Sequence, residues 1–344
     1  MPREVSSAGG AAAVAMKPMT AQPLSARTRR EGSPFRGVAT VALKEAADHL
    51  TSVRMHLVML LVLLTAIGAI YGAIGQIKDT IGQDPFLFLR LFTTARQPLP
   101  SFVSFLGFLL PLVSIALAFD AINGEYGRRT MSRILAQPIY RDALLTGKFL
   151  GGLLVLAIVL LTLWLLMTGM GILLLGLPPS GEEVLRGLAY LLCSLAYAGV
   201  WLAVALLFST IFRSSATSAL AALTLWLLFA IFWSMLTPLI ANAIAPIDPL
   251  DPITAYHNAQ LTTVISRISP NTLYGEMTLA LLDPSTRTLG VVFLSQLQGA
   301  LMGAPLPFGQ SALLIWPQLA GLVAAMVVVF TIAYVTFQRQ EIRA

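Results

Sequence analysis

Six stretches of the chain are long and apolar enough to cross a lipid bilayer, and they constrain its fold more than any other feature. A membrane helix needs about 20 predominantly apolar residues. We place the spans at about 55–75, 102–119, 149–175, 188–212, 216–240 and 313–337. Only the turn RSSA separates the fourth span from the fifth, so these two form a tight hairpin. The predicted fold is an all-α integral membrane protein with six transmembrane helices.

The composition and the charge distribution support this class. Hydrophobic residues make up 57% of the chain and charged residues 11%, whereas a soluble domain carries about 25% charged residues. With the N-terminus in the cytoplasm, 16 of the 22 Lys and Arg residues fall in inner segments. Cytoplasmic loops are enriched in Lys and Arg. We therefore predict a multi-pass protein of a prokaryotic cell (inner) membrane with both termini cytoplasmic, in contact with lipids and not with nucleic acid.

Three segments lie outside the spans. Residues 1–33 have no hydrophobic periodicity and are predicted to be a disordered cytoplasmic tail before a transmembrane domain at 34–344. From Phe35 to Val53 the apolar residues recur with helical spacing, which predicts an amphipathic helix on the inner membrane surface. The alternative is a cytoplasmic extension of the first span. Residues 241–311 are predicted to form an extracytoplasmic segment of short helices punctuated by prolines.

The sequence lacks the chemistry of a membrane enzyme. The histidines, His49, His56 and His257, form no HExxH motif, and the lone Cys193 excludes both an intrachain disulfide and a cysteine-cluster metal site. The segment TGKF at 146–149 resembles the end of a phosphate-binding loop but lacks its first Gly and its Ser or Thr. We therefore predict no catalytic residue, no metal and no cofactor in this chain.

A few polar or amphipathic side chains occur within the spans. They could line a pathway for an amphiphilic substrate, or they could form hydrogen bonds between helices. Both interpretations remain open. These residues are Thr162, Thr168, Tyr197, Trp201, Thr224 and Trp226.

The loop between the second and third spans is the most basic stretch between spans. It reads NGEYGRRTMSRILAQPIYRDALLTGK from Asn123 to Lys148 and holds five basic residues. A helix over 128–136 would separate arginines from apolar residues, and Pro138 would end it. Such a short, Pro-terminated helix favours a docking surface for a cytoplasmic partner. The alternative is that the arginines only hold the loop on the cytoplasmic side of the membrane. Such an anchor would need the arginines but would not need them in this order along the chain.

This loop and the six-span layout resemble the ABC-2 type transporter permeases, over roughly residues 35–340. The family pattern is matched at Asn123, Gly124, Glu125, Thr130, Gln137, Pro138, Ile139, Arg141, Gly147 and Lys148. Two positions depart from it, since Gly127 replaces an acidic residue and Arg129 stands where a Gly usually precedes Thr130. The resemblance implies a coupling helix that docks into a separate cytoplasmic ATPase. The implied coupling residues are Glu125, Arg128, Arg129, Thr130, Arg133, Gln137, Pro138 and Arg141.

The resemblance also implies partners and a function. Two permease subunits would pair as a homodimer or related heterodimer, and ATP and magnesium would bind to the partner ATPase subunits. The chain itself would be no enzyme but a permease that couples ATP hydrolysis to movement, in the export direction, of a hydrophobic or amphiphilic substrate. The alternative is a mechanical or assembly subunit acting on an extracytoplasmic partner. An integral membrane enzyme is disfavoured by the nearly uncharged spans.

Overall fold

A computed structural model of the chain describes residues 34–77, 86–96, 100–131, 141–176, 178–290 and 305–340. The predicted tail at 1–33 lies outside these residues. The described part is helical, and no β-strand occurs in it. Its helices are α1 (Pro34–Thr51), α2 (Val53–Ile77), α3 (Leu87–Thr93), α4 (Phe102–Ala118), α5 (Asn123–Gly127), α6 (Arg141–Leu175), α7 (Gly181–Ile211), α8 (Ser215–Leu227), α9 (Trp233–Ile244), α10 (Pro252–Ser266), α11 (Pro270–Leu282) and α12 (Phe308–Arg339). A π-helical turn, Leu228–Phe232, joins α8 to α9 without a break.

The six predicted spans are confirmed as helices of sufficient length and apolarity within the described residues. These stretches are Val53–Ile77, Phe102–Gly127, Arg141–Leu175, Gly181–Ile211, Ser215–Ile244 and Phe308–Arg339. Most of them extend several residues beyond the apolar runs, because polar residues continue a helix once its apolar part has formed. One such extension is at the start of α6, which begins at Arg141 rather than near Phe149.

Capping residues in the sequence set several helix starts. The Ser101 side chain accepts a hydrogen bond from the backbone N–H of Ser104 at the start of α4. At the start of α7, Ser180 and Glu183 form a capping box, in which each side chain bonds the other's backbone N–H. Asp251 caps α10 and is followed by Pro252 in the first turn.

Helix α7 is the centre of the bundle. It is largely buried, whereas the fifth and sixth spans are mostly exposed. Its middle contains Ala196, Ala198, Gly199, Ala203 and Ala205, and small side chains of this kind let neighbouring helices approach closely. The helices packed against it are chiefly α4, α6, α8, α11 and α12.

The predicted N-terminal helix is present as α1, and it packs closely against α6. A Cβ atom on Gly147 would lie 2.6 Å from the Val41 side chain, and one on Gly151 would lie 2.8 Å from the Ala42 carbonyl oxygen. Glycine at these two positions therefore permits the contact. The location of α1 on a membrane surface remains a prediction.

The segment after the fifth span contains α10 and α11, both too short to cross a bilayer. Helix α11 packs against α7 and α12 and buries Tyr274, Met277 and Leu281. Helix α10 packs mainly against α9 and leaves Ile253 and Val264 exposed.

Candidate functional site

A buried ammonium group joins the loop after α4 to α1 and α6. The Lys148 Nζ lies 2.9 Å from Glu45 Oε1 and 3.4 Å from Glu125 Oε1. The Lys148 side chain is 4% exposed, and the two carboxylate side chains are 13% and 19% exposed. We call Glu45, Glu125 and Lys148 the ion triad. It links three elements, because Glu45 belongs to α1, Glu125 to α5 and Lys148 to α6.

The chain turns sharply after α5, and this turn holds Glu125 in place. The backbone N–H of Thr130 donates to the Glu125 carbonyl oxygen over 3.0 Å, and the Thr130 hydroxyl donates to the Glu125 carboxylate. Between them, Arg129 has a φ of 58°, in the left-handed region that non-glycine residues rarely adopt. A glycine, which the resemblance predicts at this position, would adopt it without strain.

The same turn corrects one prediction. A helix starting at Arg128 was expected, but Arg128 and Arg129 form the turn after α5, and Arg129 is not helical. Arg133, Gln137 and Pro138, which were also predicted to be coupling residues, lie outside the described residues.

A second charged group ties the loop to α2. The Arg54 guanidinium donates to both carboxylate oxygens of Asp120, over 3.3 and 3.0 Å, and to the Ala116 carbonyl oxygen over 3.2 Å. Arg128 lies 3.9 Å from the same carboxylate and is largely exposed. Its exposure leaves Arg128 accessible at the surface.

Asn123 fixes the loop to the turn between α7 and α8. Its amide nitrogen donates to the carbonyl oxygens of Phe119 and Phe212, each over 3.3 Å, and its amide oxygen accepts from the Ser215 hydroxyl over 2.9 Å. The Ser209 hydroxyl accepts from the backbone N–H of Ile122 and of Asn123. Sequence reasoning noted Asn123 only as a family match, because its partners are far away in the chain.

Arg141, another predicted coupling residue, makes its described contacts within the chain. Its guanidinium donates to the Gln340 carbonyl oxygen over 3.0 Å and lies 5.8 Å from the centre of the Phe337 ring. These contacts join the start of α6 to the end of α12. Together with the ion triad and Asn123, they connect the loop to most of the membrane-spanning helices.

His49 faces the polar space around the ion triad, a cavity of about 240 Å³. Burial lowers the pKa of His49, and Lys148 adds to this effect, while Glu45 opposes it. No group of three or more His, Cys, Asp or Glu residues in the described part of the chain is placed to hold a metal ion.

A larger cavity, of about 740 Å³, lies at the other end of α4. Its lining includes Val103, Ser104, Gly107 and Phe108 from the start of α4, whereas the ion-triad cavity reaches Ala116 and Asp120 near its end. Helices α3, α7, α8 and α11 supply most of the remaining wall.

Hydroxyl groups cluster beside this large cavity, around its lining residue Tyr274. The Tyr274 hydroxyl lies 2.7 Å from that of Tyr190 and 3.1 Å from that of Ser194, and the Tyr274 ring stacks on Tyr197 with centroids 4.4 Å apart. The Tyr197 hydroxyl is 2.9 Å from the Asn271 amide oxygen. Burial raises the pKa of Tyr274 to about 12, so it stays neutral at physiological pH.

Only some of the residues predicted to line a pathway are found in the wall of the large cavity. Tyr197 and Trp226 line the large cavity. Trp201 is buried nearby, with its ring 6.4 Å from Phe229. The three threonines, Thr162, Thr168 and Thr224, are not among the described lining residues, and the Thr162 hydroxyl bonds to the Ile158 carbonyl oxygen of its own helix.

Sequence reasoning missed the role of Arg186, which it counted only as a basic residue of an outer segment. Its side chain is fully buried and donates to the Glu182 carboxylate over 2.9 Å, to the Leu281 carbonyl oxygen over 2.9 Å and to the Ser311 hydroxyl over 3.2 Å. These bonds fasten α7, α11 and α12 beside the large cavity. The sequence signal that could have found it is the spacing of four residues between Glu182 and Arg186, which places the two charges on one face of the helix.

Comparison with known proteins identifies the family. Residues 39–342 match the profile described as ABC-2 family transporter protein. The chain is 32% identical over 207 residues to a Pseudomonas aeruginosa protein named "Probable ABC transporter permease protein NosY". The matched region covers 58% of this chain and 68% of that protein. A Stutzerimonas stutzeri protein of the same name is 27% identical over 312 residues, 88% of this chain and 98% of that protein. The six apolar helices and these matches agree, and the chain belongs to the ABC-2 transporter family, as a multi-pass membrane permease subunit of an ABC transporter.

Proposed function

We propose that this permease couples ATP hydrolysis in a separate cytoplasmic ATPase to the outward movement of a hydrophobic or amphiphilic substrate. The family has its ATPase in a separate subunit and its permeases in pairs. The observation that supports coupling is the attachment of the loop at 120–131. A partner that pulls on a loop moves the spans only if the loop is rigidly joined to them. The ion triad, Asn123 and Arg54 provide such joints to α1, α2, α6, α7 and α8.

The proposed orientation places the loop in the cytoplasm. Its support is the distribution of Lys and Arg, which favours the loop, α1 and both termini on the inner side. The exposed Arg128 and Arg129 then face a cytoplasmic partner. Outward transport rests on the family resemblance.

Charge reversal at the loop tests the coupling role. In the double variant Arg129→Glu, Arg133→Glu, repulsion across the interface should weaken docking by several kcal/mol, or about a hundredfold or more in affinity. The variant should reach the membrane at normal abundance but should neither co-purify with its ATPase nor stimulate ATP hydrolysis. Arg128, Arg141 and Lys148 still favour the inward orientation of the loop.

A control is the variant Arg287→Glu, which reverses the charge of an exposed arginine in the segment after the fifth span and should leave co-purification intact. A purely topological role of the loop arginines predicts low abundance or misinsertion instead, with normal coupling in the protein that inserts. Normal abundance with normal coupling would show that this surface does not dock the ATPase.

A second candidate function is mechanical work on an extracytoplasmic partner. The observation that favours it is the exposed apolar surface around α10, where Leu250, Ile253 and Val264 are each more than half exposed. Stimulation of ATP hydrolysis by a small amphiphile would favour transport. Stimulation only by a protein partner would favour mechanical work.

A further inference from the structure

The large cavity beside α11 reaches from the end of that helix to the middle of α7. Its lining includes Asp283 and Ser285, which follow α11, and Tyr197, which lies in α7. Tyr197 lies 16 residues after the start of α7, in a helix of 31 residues. At 1.5 Å per residue this is about 24 Å, which is near the middle of a membrane-spanning helix. The volume of about 740 Å³ is within the range of about 300–1,000 Å³ found for small-molecule sites.

Apolar and aromatic side chains form most of the wall. Phe108 and Trp226 meet edge to face with centroids 5.0 Å apart. Leu89, Val103 and Leu279 are also in the lining. Such a wall binds a hydrocarbon chain through the hydrophobic effect and dispersion.

Polar groups in the same wall lack hydrogen-bond partners among the described residues. The Trp226 indole nitrogen and the Thr278 hydroxyl are buried and unpaired there, and an indole N–H is only a donor. The Asn271 amide uses its oxygen toward Tyr197, and no described group accepts from its nitrogen. A ligand oxygen atom is an acceptor of the kind that these donors lack. Unpaired buried polar groups are uncommon in native proteins.

The described lining of the cavity has no excess of either charge. Its described lining contains one basic residue, Arg90, and one acidic residue, Asp283. The Asp283 carboxylate already accepts from the Ser285 backbone N–H over 3.0 Å and from the Ser285 hydroxyl over 2.6 Å. The cavity wall around Tyr274 carries neutral hydroxyl and amide groups.

From these observations we propose that the large cavity binds a single-chain amphiphile whose polar group is neutral and rich in oxygen acceptors, such as an ester or a glycoside. The chain would lie against Phe108, Trp226 and Leu279, and the polar group would meet Asn271 and Thr278. This proposal rests on the proposed function and names the substrate class of that permease.

The test is photolabelling of the full chain in lipid nanodiscs. The probe is decanoyl glycerol with a diazirine in its acyl chain, and the labelled peptides are identified by mass spectrometry. Two comparison probes carry the same chain, one with a trimethylammonium group and one without a polar group. The decanoyl glycerol probe should label peptides containing Phe108, Trp226 or Asn271, and an excess of unlabelled decanoyl glycerol should remove this labelling.

Gly275 allows the cavity to be filled without disturbing the fold. A Cβ atom there meets nothing within 4 Å, and Gly275 lines the cavity. Leucine also stabilises a helix better than glycine does. Gly275→Leu should therefore lower the competable labelling about tenfold, which corresponds to about 1.4 kcal/mol. Gly169→Leu is the matched control, because Gly169 is also helical with open space around it and is absent from the described lining.

Thr278→Val tests the recognition of the polar group, since it removes the hydroxyl with little change in volume. It should reduce the preference for the glycerol ester over the probe without a polar group. Equal labelling in wild type and Gly275→Leu, or labelling that excess ligand does not remove, would overturn the site. Equal competable labelling by the trimethylammonium probe would overturn the ligand class. Because no ATPase or nucleotide is present, these results are independent of whether the coupling proposal holds.

Discussion

Replacement of Lys148 by methionine tests the structural importance of the ion triad. The substitution keeps the length of the side chain and removes the charge that Glu45 and Glu125 share at 2.9 and 3.4 Å. At an effective dielectric constant of about 20, each pair contributes about 5 kcal/mol before desolvation is subtracted. Two partly buried carboxylates would lose their common partner. Breaking a buried ion pair from one side costs about 3–5 kcal/mol, and we expect a destabilisation of that size.

Lys44→Met is the matched control, because Lys44 pairs with the same carboxylate. Its Nζ lies 3.6 Å from Glu45 and 2.7 Å from Asp48, but its side chain is 65% exposed. An exposed pair contributes about 1 kcal/mol or less. The Asp48 hydrogen bond raises the pKa of Lys44, so its charge persists over the neutral range.

The chain carries its own reporter of unfolding. Cys193 is the single cysteine, and it is 1% exposed in α7. A maleimide that becomes fluorescent on reaction with a thiol therefore reports the loss of packing during heating. With about 2–4 °C per kcal/mol, Lys148→Met should lower the apparent unfolding temperature by about 10 °C and Lys44→Met by less than about 4 °C. Equal shifts for the two variants, or no shift for Lys148→Met, would refute the reasoning.

Three further predictions concern the turn, the pH dependence and the topology. Arg129→Gly should be more stable than Arg129→Ala by about 1 kcal/mol in the same thiol assay, because glycine tolerates the φ of 58°; equal stabilities would contradict the strain. Burial lowers the pKa of His49 in the folded protein below its value in the unfolded chain. Near and below about pH 6.5 the unfolded chain therefore binds more protons than the folded protein. The stability of the fold should fall as the pH drops from 7 toward 5.5. His49→Gln should reduce that fall, and an unchanged pH profile would exclude His49 as its source. In a Cys193→Ala background, cysteines at Ser180 and Ser285 should react with an impermeant thiol reagent in intact cells, and protection of both would reverse the proposed orientation.

The spans were predictable because each is set by a local property, the length of an apolar run. The helix α1 was predictable for the same reason, since its periodicity is visible within 18 residues. The family resemblance of the loop was also carried by contiguous residues, and the profile match confirms the family.

The joints between elements were not predictable, because they depend on contacts between distant residues. Glu45 and Lys148 are separated by 103 positions, and Asn123 and Ser215 by 92. The positive φ at Arg129 was hidden as well, since arginine gives no sign of a left-handed turn. The large cavity depends on how α11 packs against α7. The apolar residues of α11 are only weakly segregated to one face of the helix, so its sequence does not indicate which face is buried.

The most direct test of the central claim is a distance measurement in the complex with the ATPase. In a pair formed by two copies of this chain, a spin label at Ser285→Cys in a Cys193→Ala background would report the separation of the copies by pulsed electron paramagnetic resonance. Binding of a non-hydrolysable ATP analogue with magnesium should shift this distance distribution, because in the proposed mechanism the loop transmits the closure of the ATPase to the spans. The double variant Arg129→Glu, Arg133→Glu should show no shift. A distribution that nucleotide leaves unchanged in the otherwise wild-type chain, or an equal shift in the double variant, would contradict coupling through this loop.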